Sequence, residues 1–497
     1  MNRELDRRRL LHLGSAAAIT MIAGCTGGSD GDGADDLTLN GDDDDDEQAT
    51  DGSEEADSSD TVDSEWGTFR GDTARTGRVP EGGGPGASLS TAWELTRADL
   101  LEELEGIDTE TLSMPIMTNA WSWPVLAGER VCWTVGLQWT DPETDDRTND
   151  LWVVAADVAT GELEWAVRLE ETADRVQDAW FAPEVSGGRL YVPVLAADGV
   201  AIAVYDPADG TELGRLDLGR SSVMSHPTVV DGVVYVADDA DDGTLYAIDA
   251  DDGAERWSVS TAMRPASWNT VSVDDETLWY AADDLVARDV TDGTERHRVT
   301  LDTPDSLVTD RPTRLAPPTI AEDGIYAAGN LETVMNRDIP SIAAVDADEG
   351  TERWQYVPPG IEGEDNPFLE GHPDISPAEI ESLPPLSAVY GYPIAADGRV
   401  LATAIGDFDA SEDGHALIAL DESGALEWAV ELESVAYAPV AAGQVVYVPT
   451  SGGVEAISMT GEHLETVSID QVRLEYPPAL GGGRLFVPAM DRLVALE

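Results

Sequence analysis

Few residues in this chain have the types and spacing that chemistry requires. The two cysteines, Cys25 and Cys132, lie in unrelated contexts, so no CxxC pair for a metal, disulfide exchange or haem attachment exists. Asp409-x-Ser411-x-Asp413-Gly414 spaces three side-chain oxygens and a turning glycine like the first half of a calcium loop. The twelfth position is Leu420 rather than Glu, which excludes an EF-hand. The six histidines are scattered and give no zinc spacing. A recurrent aromatic and basic set is more suggestive. Trp121 with Trp123, Trp180 with Phe181, Trp268, Tyr390 with Tyr392, Tyr437 and Tyr476 fall just ahead of strand-like runs, mostly opened by Pro, and His226 and Arg314 fall in comparable places. Rings and guanidinium groups converging on one mouth would hold a planar ligand or an extended peptide; the competing expectation is that they fill a narrow interior.

What could make them converge is a repeated unit. The phrase Ala-x-Asp, a short turn, Gly, three residues and Trp is fullest at Asp157, Gly161 and Trp165. It recurs at Asp249, Gly253 and Trp257, at Asp346, Gly350 and Trp354, and, one turn residue shorter, at Asp421, Gly424 and Trp428. Asp206 with Gly210 and Asp289 with Gly293 keep the turn and lose the indole, and at Ser458 the Asp is replaced as well. Upstream of each turn stand two short apolar runs separated by a further turn, as in Pro227–Val236 and Pro439–Val448. Four short strands in a period of roughly 40–50 residues point to propeller blades. An eighth unit opens at Pro478 and stops at Glu497, lacking its last strand, while Trp93 sits in an orphan strand-like segment, Thr91–Leu95. The expected fold is all-β: an eight-bladed β-propeller of four-stranded antiparallel blades over residues 66–497, closed by the N-terminal strand completing the last blade. Peripheral helices are expected at Arg97–Glu105 and Pro377–Ser382. Insertions at 140–149, 330–340, 357–387 and 407–414 fall in loops of one face, which marks that face for binding.

The first 64 residues read as an address. Arg7-Arg8 and an apolar stretch to Ala23, ending Ile22-Ala23-Gly24-Cys25, suit a twin-arginine signal peptide over residues 1–25 whose lipobox leaves Cys25 lipidated. An uncleaved N-terminal anchor is the other reading. Residues 26–64 are dense in Asp and Glu, with no Arg or aromatic residue, as in a disordered acidic stalk. Both readings place the propeller outside the cytoplasm, tethered to the cell membrane.

The whole chain carries 99 acidic against 28 basic residues, a net charge of −71, and every basic residue is Arg. Nucleic acid is excluded as a partner, since phosphate neutralisation needs clustered positive charge. Self-repulsion on this scale suits a salt-laden medium of the haloarchaeal kind, where at ~1 M the screening length is about 3 Å.

The turn-and-indole phrase resembles the tryptophan-docking repeat of the quinoprotein (PQQ-like) propeller superfamily, and Trp66–Asp72 is similar to that family's opening segment. The resemblance implies one of two functions. One is a non-catalytic lipoprotein that binds a protein partner or small solute at the membrane surface, as a monomer. The other is a dehydrogenase using PQQ and calcium in the central funnel. The dehydrogenases typically set a vicinal disulfide against the cofactor, which two cysteines so far apart cannot form. No calcium-ligand set or catalytic Asp of that family can be matched here, so the first function is the expected one and no catalytic residue is assigned.

Overall fold

The computed structural model describes residues 66–497 except 105–119, 141–146, 170–181, 197–198, 221–224, 239–242, 262–269, 302–313, 333–337, 357–385, 410–411, 283 and 475. Cys25, the stalk and the helix expected at 377–382 lie outside the described residues. Eight antiparallel sheets form an eight-bladed propeller: blade 1 (125–169), blade 2 (184–220), blade 3 (228–260), blade 4 (272–299), blade 5 (319–356), blade 6 (386–432), blade 7 (440–468) and blade 8 (479–496 with 91–96). Each runs from a short inner strand to an outer one in simple sequence order. Blade 8 is completed by Thr91–Thr96, antiparallel to Arg492–Leu496 with Thr91 opposite Leu496 and Thr96 opposite Arg492. The ring thus closes without an open sheet edge at the seam, as the truncated last repeat predicts.

Both faces of a blade are covered by its neighbours, so the middle strands bury every position rather than alternate positions. Val233–Asp238 of blade 3 is buried throughout. The apolar core is accordingly divided into layers between adjacent blades, such as Val234 with Ile202 between blades 2 and 3, and Trp279 with Ile325 between blades 4 and 5. Small and β-branched residues fill these layers, which is what two closely stacked pleated faces accommodate.

The repeated turn supplies a second attachment at the rim. Asp157 accepts hydrogen bonds from the N–H groups of Ala159 and Thr160, and its carbonyl accepts from Gly161. The indole of the preceding blade lies on that glycine: a Cβ at Gly161 would sit 2.5 Å from the Trp93 ring, and φ there is +74°, so both space and backbone demand Gly. Trp93 Nε1 donates to the Val158 carbonyl at 3.0 Å. The same dock recurs with Trp165 on Gly210, Trp257 on Gly293, Trp354 on Gly424 and Trp428 on Gly461. His297 takes the indole's place on Gly350, and Leu216 stands in at Gly253, the nearest atom being 3.8 Å away.

At the seam between blades 7 and 8 the dock is missing, because Glu465 occupies the indole position. The N-terminal segment covers it instead. Arg78–Val79 pairs in parallel with Ala441 and Ala442, Gly84 packs against Ala442 and Leu480, and the Tyr447 hydroxyl donates to the Pro85 carbonyl. The helix that follows the closing strand is Arg97–Glu103, capped by a reciprocal Thr96–Asp99 box, and it buries Leu100.

Candidate functional site at the axis

Seven of the eight inner strands are two or three residues long, that of blade 6 being Leu386–Ala396, and the residue just after the conserved position of the repeat's opening Pro sits on this innermost strand. Around the ring these residues are Val125, Glu184, Thr228, Ser272, Thr319, Ile394, Val440 and Ala479, all buried. Blades 2 to 5 therefore present a polar arc, and blades 6, 7, 8 and 1 an apolar one. Each polar member bonds to the next blade. Glu184 Oε1 accepts the Val229 N–H at 2.6 Å, Thr228 donates to the Val271 carbonyl at 3.1 Å, Ser272 to the Pro318 carbonyl, and Thr319 to the Pro393 carbonyl at 2.9 Å. Blades 2 to 6 are stitched in sequence by side chains that would otherwise be costly to bury.

Residues 66–83 run round this ring. Their carbonyls accept backbone N–H groups in turn: Trp66 from Leu126, Gly67 from Val185, Thr73 from Val273, Ala74 from Ile320, Gly77 from Ala441 and Gly83 from Gly483. Blades 3 and 6 are reached by two fully buried arginines. Arg75 bonds to the Val271 carbonyl and to the hydroxyls of Thr68, Thr228 and Thr270. Arg70 bonds to the carbonyls of Tyr392, Pro393 and Pro439. Both have left-handed backbones, φ +62°, an uncommon state for a side-chain-bearing residue that the surrounding bonds sustain. Burial pulls the Arg70 guanidinium down to about 9, which still leaves it charged at neutral pH.

Over this floor lies an aromatic layer. Phe69 meets Trp123 at 4.9 Å and Tyr392 at 5.0 Å, both edge-on; Trp123 meets His226 at 4.9 Å and Tyr476 at 6.1 Å. Arg70 stands over Tyr392 and Arg75 over Phe69. The buried His226 donates from Nε2 to the Ala182 carbonyl at 2.9 Å, and its Nδ1 lies 3.7 Å from Glu184 Oε2. Desolvation raises Glu184 to about 7, against the pull of Arg75. It lowers His226 to about 3, with Arg75 adding to the shift.

Of the residues singled out from sequence, Trp123, His226, Tyr392, Tyr437 and Tyr476 reach this layer, Tyr437 as an edge contact to Tyr392 at 6.5 Å. Trp121 does not: it is buried between blades 8 and 1, stacked on Trp133 at 5.9 Å. The strand Ala120–Trp121 ends before Ser122, and the irregular stretch Ser122–Pro124 that follows turns Trp123 away from the Trp121 side, so only Trp123 of that pair shares the axis. Trp180 and Trp268 lie outside the described residues, and for Arg314 and Tyr390 only the backbone is described, in strands paired to Asn330 and Thr403. Asp409 ends one strand and pairs with Glu412, which begins the next, so Asp409 and Asp413 flank a tight hairpin; Ser411 is outside the described residues. Among the described residues no group of three metal-ligating side chains converges. Sequence reading passed over Arg70, Arg75, Glu184 and Thr228; comparing the residue after each opening Pro would have exposed the polar arc.

A flat quinone with its calcium ion needs a free slot and uncommitted donors. Here the rings pack on one another, the arginines are committed to carbonyls and hydroxyls, and Glu184 already accepts a backbone N–H. The described axial residues do not fit that cofactor. Cys132 is a free buried thiol, pushed up to about 12 by desolvation.

The sequence matches none of the curated proteins. Among solved structures, quinohemoprotein alcohol dehydrogenase from Comamonas testosteroni is similar in fold at 15% identity and TM-score 0.53, over 87% of this chain and 80% of that one. BamB from Moraxella catarrhalis aligns at 11% identity and TM-score 0.48, over 82% of this chain and all of that one, and the computationally designed Ika8 protein at 14% and 0.47, over 78% and 98%. Residues 149–355 and 340–467 match the family described as outer membrane protein assembly factor BamB. That match takes in more than half the chain, from the third strand of blade 1 to the last strand of blade 7, and the chain belongs to this family.

Proposed function

We propose that this protein is a membrane-tethered, extracytoplasmic propeller that binds a protein partner or small solute through its loop-bearing face and performs no reaction of its own. The observation that carries this is the self-filled axis. Among the described residues the axis is filled by the chain's own Phe69, Trp123, Tyr392, Arg70 and Arg75, all buried. Recognition is then left to the faces. Membership of a family named for assembling other proteins agrees with it.

The tether in this reading is the Cys25 lipid, with the acidic stalk as spacer and concentrated salt as the working medium. Among the described residues no helix is long and apolar enough to cross a membrane. Fractionation of cells expressing the full chain tests the tether: wild type is expected with membranes and Cys25→Ser in the medium. Titration of purified protein with PQQ and Ca²⁺ in concentrated salt tests the absence of chemistry. No saturable absorbance change is expected; a saturable change with dye reduction would overturn the binding reading in favour of a dehydrogenase.

A further inference from the structure

Two buried polar atoms at the axis lie near each other. Glu184 Oε2 and His226 Nδ1 are fully buried and 3.7 Å apart, and no protein group completes a hydrogen bond to either atom. The Thr68 hydroxyl stands beside the Glu184 carboxyl and, with Arg75, pulls against its desolvation. The other atoms of both groups are committed: Oε1 to the Val229 N–H, Nε2 to the Ala182 carbonyl. Because Nε2 carries the proton that it donates, Nδ1 is the bare nitrogen, an acceptor. Two acceptors facing each other in a desolvated site repel, and each forfeits a bond worth having. One hydrogen placed on Oε2, with a side-chain approach of under about 1 Å to bring the two atoms within bonding reach, removes both deficits.

We propose that Glu184 is carried as the neutral acid, its Oε2–H directed at His226 Nδ1, and that this single proton locks the junction of blades 2 and 3 to the aromatic layer. The charged and titratable surroundings agree. The leading segment contributes Arg75, with Arg70 and Asp72 beyond it; blade 6 contributes Tyr392; blade 1 contributes Trp123, which does not titrate. Arg75 does not need Glu184 as a counter-ion, since its N–H groups are met by carbonyls and hydroxyls. Desolvation moves the carboxyl to about 7 and the imidazole to about 3, so acid and base are both neutral in mildly acidic solution. With the proton gone, the imidazole has to turn or change tautomer, giving up the Ala182 bond and shifting the ring that touches Trp123.

The test compares the full chain with Glu184→Gln in concentrated salt. The carboxamide reproduces the protonated acid, its oxygen for Val229 and its N–H for His226. Expected are an infrared C=O stretch of a protonated carboxyl in wild type at about pH 6 that is missing from the variant, and a variant melting temperature at or above wild type that no longer falls between about pH 6 and 8. A missing band, as for a carboxylate bridged by water, overturns the proposal. So does a variant that melts several degrees lower with the pH response intact, as for an ion pair with Arg75. Should Glu184→Gln not fold, the ¹⁵N signal of His226 Nδ1 in wild type decides: a hydrogen-bonded, unprotonated nitrogen sustains the assignment and a protonated one defeats it.

Discussion

At the rim, the indole of one blade lies on the glycine turn of the next, and the same contact is made five times with the same two residue types. At the axis, neighbouring blades are joined by Glu184, Thr228, Ser272, Thr319 and two arginines, each used once, with Thr228 and Arg75 sharing the Val271 carbonyl and Thr319 and Arg70 sharing the Pro393 carbonyl. The rim attachment is mostly apolar contact and shape. It tolerates His297 or Leu216 where an indole is absent, and its complete loss at the seam of blades 7 and 8 is covered by a separate stretch of chain. The axial attachment is buried hydrogen bonding, where removing one partner leaves several acceptors unmet in a site that water does not reach. A repeat that can be copied is thus robust piece by piece, and a hub built once is not.

The comparison breaks first at Arg75. Arg75→Ala strips donors from Val271, Phe69, Thr68, Thr228 and Thr270 together. A loss of about 3–5 kcal/mol is expected, measured by denaturant unfolding in concentrated salt; a loss under about 1 kcal/mol would make the hub no more critical than a surface site. Gly161→Ala comes next, at about 2 kcal/mol, from a left-handed backbone and an overlap with the Trp93 ring. Gly214→Trp should sharpen the contrast in the other direction. Gly214 holds the indole position of blade 2, opposite Val204, with open space where a Cβ would stand, and Gly253 has only Leu216 within reach at 3.8 Å, so an indole restores the dock and raises stability by about 1 kcal/mol; a lower melting temperature would show that this seam has no room.

The smallest effect at neutral pH is expected from His226→Gln, which keeps a donor for Ala182 and removes the titration. The folded imidazole has its pKa depressed to about 3 against 6.5 unfolded, so the unfolded chain binds the proton first and wild type loses stability as pH falls below about 6.5. Glu184 has its pKa raised, and acts oppositely: its contribution is complete below 4.5 and is lost as pH rises toward 7. Between 4.5 and 6.5 the two slopes offset each other in wild type. His226→Gln should therefore gain on wild type as acid is added, followed by melting temperature across that window. A constant difference between the two proteins would mean that the imidazole titrates freely.

The same contrast governs what the amino-acid sequence discloses. The rim was legible because Asp157, Gly161 and Trp165 recur at fixed spacing, and the number of turns with the missing last strand led directly to eight blades and a seam at Thr91–Leu95. The hub was not, because Glu184, Thr228, Ser272 and Thr319 stand singly at a position that is Val, Ile or Ala in the other four blades, and their partners lie far away in the chain. Aromatic residues were a weaker guide. Trp121 and Trp123 look equivalent on paper, since two residues apart on one strand would share a face, but the strand breaks at Ser122 and sends one into the layer between blades and the other to the axis.

The pairing of Thr91 with Leu496 sets an order of events. The residues that zip the ring are made before the other seven blades and find their partner only after all seven have been made. Until then blade 8 lacks its outermost strand. Closure therefore waits on one late, long-range encounter between the first and last strands of the ring.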